Sequence, residues 1–465
     1  MALAFTACQQ QAPPPPKVPP PSNVLSAIVR PAAGTWFLGM HDTPEGFEHD
    51  LIARFARDAR LDLAAVTTDS ATDLVRAVAH GNAMVGLGGL YRPEPESRRR
   101  ERASTDPDRD VLWTTGITEV QPVIVYNADG FRPRDWSDLE GASVAYLPGT
   151  GLERGFAEIR AAHPGVHWVE RDAPSADALI ADVDDAKVDY AVVSSADAAL
   201  ARNVYLGFDV AFSAGPKREL AWAVPATDSK LRDALDAFIE RAKRDGTIRE
   251  LLDRYFTPAR SLGRPDAGAL HDKIESVLPK LRRDFEAAQD ATGLDWRLLA
   301  AVAYQESQWD ADATSETGAR GIMQITEDTA KQLGLDDRGD ASGSIAAAAR
   351  YLRMLRDKLP ARITEPDRTF MMLAAFNIGL GHLEDARVLA QKMKGNPDRW
   401  SDVRRALPLL ADPQYFSTAK LGYARGGMPV AFVQRVRAYY DILTRTFPSH
   451  TPRLRMIATE PQASP

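Results

Sequence analysis

Between Gly34 and about Pro258, short apolar runs alternate with stretches of helical period. Thr35–Met40, Leu61–Thr67, Ala83–Leu87, Val120–Tyr126, Ser143–Tyr146, His167–Glu170 and Tyr190–Val193 read as strands. Gly46–Ala59 and Ser70–His80 repeat their apolar side chains at i, i+3 and i+4 and read as amphipathic helices, with further helices at Asp177–Ala181 and Asp197–Ala201. Such alternation implies a parallel-type α/β fold with helices covering the sheet faces. From His271 to about Phe447 the pattern is helical throughout, as in Lys280–Ala291, Trp296–Trp309, Ile345–Leu359, Asp367–Ile378 and Val430–Thr446. Pro366 and Pro429 sit at helix starts, where a missing N–H costs nothing. Residues 259–270, small and bearing Gly and Pro, read as a joint between an α/β unit (34–258) and a helical unit (271–448). Residues 9–22 contain QQQAPPPPKVPPPS, which favours extended polyproline II, so residues 9–33 read as a tether. The polar segment Ser449–Pro465 reads as a frayed tail.

Composition narrows the class. A chain of 465 residues has room for about three compact units. Apolar and charged contents of 44% and 26% are those of a soluble globular chain, and no apolar run is long enough for a membrane-spanning helix. A net charge of −7 argues against nucleic acid as partner. The single cysteine, Cys8, rules out an intramolecular disulfide. It ends MALAFTAC, which resembles the close of a bacterial lipoprotein signal, with Cys8 as the lipidated residue. Only seven residues precede it and none is basic, so a complete signal requires an upstream start. Gln9 in place of Asp points, by the enterobacterial sorting rule, to the periplasmic face of the outer membrane.

The stretch with the most chemistry is Leu294–Ile325. Asp295 is suited to cap a helix on which Leu298, Leu299, Val302, Ala303 and Glu306 share one face. An acid closing an apolar stripe is anomalous. Burial and the negative end of a helix stopping near Trp309 both disfavour its charged form, raising its pKa towards that of a general acid. Glu306-Ser307 is followed by Gly318-Ala319-Arg320-Gly321-Ile322-Met323-Gln324, then Ala374-Ala375-Phe376-Asn377, then Gly422-Tyr423-Ala424-Arg425-Gly426. In that order the motifs resemble the goose-type-lysozyme-like catalytic domain of the family 1 lytic transglycosylases.

The resemblance implies a mainly α lysozyme-like domain that cleaves the β-1,4 bond between N-acetylmuramic acid and N-acetylglucosamine in peptidoglycan, leaving 1,6-anhydromuramoyl ends. It implies Glu306 as the single catalytic acid and base, with Ser307, Gly321, Met323, Gln324, Phe376, Asn377 and Tyr423 as substrate-binding residues. It implies no metal and no cofactor. Gly318 is expected to help the backbone turn near the saccharide. Ile322 stands where the family has Leu, and Phe376 where it has Tyr, which removes a hydroxyl. Asp310, Asp312, Glu316, Glu327 and Asp328 read as solvated acids; a lysozyme-type hydrolase needs one of them to position water.

The earlier unit resembles the family 3 extracellular solute-binding domain. Gly46-Phe47-Glu48-His49-Asp50-Leu51, Gly81-Asn82-Ala83-Met84-Val85, Lys187-Val188-Asp189-Tyr190-Ala191 and the closing helix Leu231–Phe256 carry the likeness. It implies a two-lobed, periplasmic-binding-protein-like α/β domain with a muropeptide or amino-acid-like ligand between the lobes. In amino-acid-binding relatives an arginine holds the ligand carboxylate, a contact suited to bidentate geometry. Arg98, Arg99, Arg100 and Arg102 are the candidates, in a run that also reads as a solvated loop.

Overall fold

The computed structural model describes residues 23–39, 43–93, 111–171, 173–256, 262–315 and 318–451. Cys8 and the four candidate arginines lie outside the described residues, as does Glu316.

The α/β half is built from two mixed sheets. The first contains β1 (Val24–Val29), β2 (Asp62–Thr67), β3 (Val85–Leu87) and β4 (Val111–Trp113). Helices α1 (Phe47–Asp58) and α2 (Ala71–Ala79) connect its early strands. The second sheet contains β5 (Pro122–Asn127), β6 (Ser143–Tyr146), β7 (His167–Glu170), β8 (Tyr190–Ser194) and β9 (Phe208–Ser213). Helices α3 (Ala176–Asp184) and α4 (Ser195–Ala201) flank β8. The chain then returns as β10 (Ala223–Pro225) to the first sheet, whose order is β2-β1-β3-β10-β4; the second is β7-β6-β8-β5-β9. The two crossings are joined by an antiparallel pair, Thr118–Val120 with Arg218–Leu220.

Two expectations change here. The sheets are not purely parallel: β10 runs against β3 and β4, and β5 runs against β8 and β9. The returning strand fills the first sheet from the far lobe, so its direction is set by that crossing rather than by a local helix. The tether also ends sooner than residue 33, because Val24–Val29 is the strand on which β2 and β3 both pair in parallel. Its alternating pattern, with Leu25, Ala27 and Val29 buried, is that of a sheet core. Gly46 shows how the start of α1 is fixed: its φ is 133°, and a Cβ there would collide with the carbonyl of Thr35.

Helices α5 (Ser229–Arg244) and α6 (Thr247–Phe256) close the α/β half. The helical half begins earlier than expected, with α7 (Arg264–Ser276) occupying part of the anticipated joint. Then come α8 (Leu278–Thr292), α9 (Trp296–Ser307), α10 (Glu327–Leu333), α11 (Ala341–Lys358), α12 (Asp367–Ile378), α13 (Leu380–Lys392), α14 (Trp400–Ala406) and α15 (Gly427–Thr446). They pack around one continuous core that runs from Leu262 to Leu443. Helix α9 is its centre: every residue from Trp296 to Tyr304 is buried, not only the expected stripe. Its neighbours α8, α11 and α15 leave residues 296–304 no solvent face, and small residues such as Ala300, Ala301 and Ala303 allow them to approach closely.

Polar contacts join the halves. Arg254 on α6 reaches Asp367 at 3.5 Å, and Arg399 reaches Glu250 at 3.3 Å. Arg404 meets Asp253 at 2.5 Å, and Arg445 on α15 meets Asp177 of the second lobe at 3.0 Å.

Candidate active site

The N-terminus of α9 is locked. The Asp295 carboxylate accepts the backbone N–H of Arg297 at 2.8 Å, pairs with the Arg297 guanidinium at 2.6 Å and accepts the Tyr440 hydroxyl at 3.0 Å. Arg297 in turn donates to the carbonyl of Phe447 at 3.0 Å. The C-terminus is equally definite: Gln308 and Trp309 adopt φ of 54° and 62°, and the Trp309 indole donates to the carbonyl of Ala300 at 2.8 Å. The helix therefore stops one residue past Glu306.

Glu306 is partly buried and, among the described residues, its carboxyl makes no hydrogen bond and no ion pair. Burial alone pushes its pKa up to about 8. A neutral carboxylic acid near pH 7 with free lone pairs is the state a general acid requires. Asp310, Asp312, Glu327 and Asp328 are exposed, and Glu327 is paired with Lys331 at 2.7 Å.

The expected motif residues divide into two sets. Ser307 does not hold Glu306: its hydroxyl donates to the carbonyl of Ile322 at 2.8 Å and accepts the N–H of Asp310 at 3.2 Å. That bond ties the end of α9 to the turn after Gly321. Gly321 has φ 78°, and a Cβ there would collide with the carbonyl of Arg338, so it serves backbone packing. Met323 is 0% exposed and belongs to the core, so it offers no surface to a sugar. Phe376 is partly buried, its ring 6.2 Å from Phe432 in a stacked pair and 5.9 Å from Tyr351. These four residues make packing and backbone contacts within the helical half.

Gln324, Asn377 and Tyr423 remain accessible. Gln324, at φ 47°, donates its amide to the carbonyls of Ala313 and Gly321, both at 3.0 Å, which leaves its side-chain oxygen. Asn377 is exposed at the end of α12. Tyr423 is 56% exposed and meets Phe416 edge-on at 5.7 Å. The segment before Ile325 forms a small hairpin, with Arg320 and Ile325 exchanging backbone bonds at 3.2 and 3.1 Å. No hydrogen bond joins Glu306 to Gln324 or Tyr423.

Two residues escaped the sequence reading. Arg338 clamps the hairpin by donating to the carbonyls of Gly318 at 2.9 Å and Ile325 at 3.2 Å. Tyr351 packs its ring against that of Phe376, with centroids 5.9 Å apart. Neither lies in a motif; only the helical spacing of Tyr351 from Ala347 and Leu355 hinted at a packed face.

A second site lies between the two lobes, where a cavity of about 310 Å³ is lined by Arg30, Tyr91, Tyr146, Glu153, Ser194 and Asp197, among others. Arg30 is 4% exposed, donates to the carbonyl of Gly88 at 3.3 Å and has no ion pair among the described residues. Burial lowers its pKa, against the fields of Asp197, Tyr91 and Glu48.

A Transglycosylase SLT domain model matches residues 284–398, and the model for bacterial extracellular solute-binding proteins, family 3, matches residues 27–258. A membrane-bound lytic murein transglycosylase F of Methylobacillus flagellatus is 38% identical over 456 residues, 97% of this chain and 94% of that protein. The chain belongs to the membrane-bound lytic murein transglycosylase F family. Other members with the same name come from Thiobacillus denitrificans, 37% identical over 98% of this chain and 94% of that protein, and Nitrosospira multiformis, 43% identical over 71% and 70%. Among solved structures, the substrate binding protein of an amino acid ABC transporter aligns with a TM-score of 0.42 and 18% identity, over 50% of this chain and 99% of that one. Transglycosylase F relatives are named membrane-bound, and among the described residues no helix is long and apolar enough to cross a membrane.

Proposed function

We propose that Glu306 is the one acid and base of this peptidoglycan lytic transglycosylase. The carrying observation is a partly buried carboxyl, held near pKa 8 with no partner among the described residues, at the end of a helix fixed at both termini. Protonated Glu306 gives its proton to the bridging oxygen as the bond from that oxygen to C1 of the muramoyl unit breaks. The carboxylate so formed takes the proton of the C6 hydroxyl on the same sugar, whose oxygen closes onto C1. The charge balances, no water is consumed, and one carboxylate suffices where hydrolases use two. The substrate N-acetyl group assists at C1. Gln324, Asn377 and Tyr423 contact the glycan, while Ser307, Gly321, Met323 and Phe376 hold the backbone that presents them.

The α/β half is a regulatory domain whose interlobe cavity takes a cell-wall peptide or amino-acid-like ligand. Arg30 supports this: a buried guanidinium with no direct ion pair among the described residues suits a ligand carboxylate. The ion pairs between the halves supply a path for coupling. Lipidation of Cys8 anchors the chain to the outer membrane, facing the periplasm. Digestion of purified sacculi with mass spectrometry of the products tests the chemistry: anhydromuramoyl ends are expected from the wild type and none from Glu306→Gln. Reducing muramic ends would convert the reading to a hydrolase. Equal, negligible turnover by both proteins would leave a peptidoglycan-binding sensor.

A further inference from the structure

Beside the catalytic loops lies a groove that no motif predicts. It encloses about 610 Å³ between α13 and the segment 415–421, with Val388, Leu389, Leu410 and Leu421 among its walls. Val388 and Leu421 are 50% and 53% exposed, which is unusual for large apolar side chains this close together. The groove is a fixed feature. Asp385, 8% exposed, accepts the backbone N–H groups of Lys420 and Leu421, both at 3.0 Å, and pins that segment against α13. Gly381 lets the Leu421 side chain close over the helix, because a Cβ there would collide with it.

The charge on its rim is one-sided. Its two acids are spent, Asp385 on the backbone and Glu384 on both oxygens to Arg387 at 2.7 Å. Lys392 and Lys420 are exposed and have no ion pair among the described residues. An apolar floor with a cationic rim does not suit a glycan, whose hydroxyls need amides and carboxylates. It suits a short peptide with small apolar side chains and free carboxylates. Position identifies which peptide. Leu380 follows Asn377 by three residues and Leu421 precedes Tyr423 by two, so the groove opens next to two of the three accessible motif residues.

We propose that this groove binds the peptide stem that branches from a muramoyl unit held in the catalytic cleft, so that the enzyme favours peptide-bearing over bare strands. The inference rests on the glycan-cleaving reading of Glu306. Lys392 and Lys420 meet the stem carboxylates, and Val388 and Leu421 pack on its small side chains.

The test compares initial rates on peptide-bearing glycan strands and on strands stripped by an amidase. The proteins are the full-length wild type, Lys392→Glu/Lys420→Glu, and Val388→Asp as an apolar counterpart. Wild type is expected to favour peptide-bearing strands by about fivefold, and both variants to lose that preference. Equal wild-type rates on the two substrates, or variants that fall equally on both, would overturn the proposal. A concentration-dependent wild-type dimer dispersed by Val388→Asp would reassign the groove to self-association. If no protein cleaves either substrate, the reading of Glu306 fails; cosedimentation of Glu306→Gln with intact sacculi, with and without the lysine changes, then still reads the groove. Undiminished binding by the lysine variant in that assay counts against it.

Discussion

Two glutamates, one fully buried in the α/β half and one partly buried in the helical half, sit in opposite electrostatic settings. Glu48 lies in the first turn of α1 and is 0% exposed. Its carboxylate accepts N–H groups from Gly88 at 3.3 Å, Gly89 at 2.8 Å and the Trp222 indole at 3.0 Å, with Arg30 nearby. Glu306 lies in the last turn of α9 with none of these. The helix dipole favours the anion at the first position and opposes it at the second. Burial raises both, but for Glu48 four favourable contacts work against the penalty, whereas for Glu306 desolvation acts alone. The difference separates a carboxylate that joins three segments of a lobe from a carboxylic acid free to give up a proton. Burial by itself identifies neither.

The comparison can be broken most sharply by removing the carboxyl at each place. Glu306→Gln should cut turnover about a thousandfold, typical of removing a general acid, while circular dichroism stays close to wild type and Tm does not fall. Glu48→Ala should do the reverse. It orphans three donors and costs about 3 kcal/mol in denaturant unfolding, with the released product still anhydro-ended. A large loss of stability from Glu306→Gln at neutral pH would erase the contrast.

A smaller effect is expected at Gly321. Gly321→Ala forces a Cβ against the Arg338 carbonyl at positive φ and should cost about 2 kcal/mol, read by denaturant unfolding. Its turnover should fall with it, because the hairpin carries Gln324. A further effect is one of pH. With its pKa raised from 4.5 to about 8, Glu306 keeps a proton in the folded chain that the unfolded chain releases. Between those values the native state binds more protons, so this group makes stability fall as pH rises, and the penalty is complete above about 8. Glu306→Gln lacks that penalty. Its Tm should match wild type below pH 4.5 and exceed it above about 8, and the wild-type rate should decline as pH passes about 8. A constant Tm difference across that range would show that the proton is held elsewhere.

Much of this is legible in the sequence. Asp295 as a cap, the stop near Trp309 and the solvated character of Asp310 and Asp312 follow from local spacing and side-chain chemistry. Strand β1 was hidden because a short apolar run beside a proline-rich segment looks the same whether or not partners exist for it. Ser307 and Met323 were assigned to the substrate because a motif records which residues go together and not which way they face. In the fold, Ser307 ties two backbone segments and Met323 fills the core. Arg30 was missed because nothing local distinguishes it from the run of arginines after Glu96; its burial depends on Gly88, Tyr91 and Asp197 meeting from distant parts of the chain.

The order of residues fixed by itself the α/β and helical halves, the family, and the helix that ends in Glu306, since all depend on periodicity, caps and motif order over short distances. Tertiary structure alone decided the protonation of that carboxyl and the partner of each polar group. A side chain's solvation and hydrogen bonds are set by neighbours that arrive through space, such as Trp222 at Glu48 and Ile322 at Ser307.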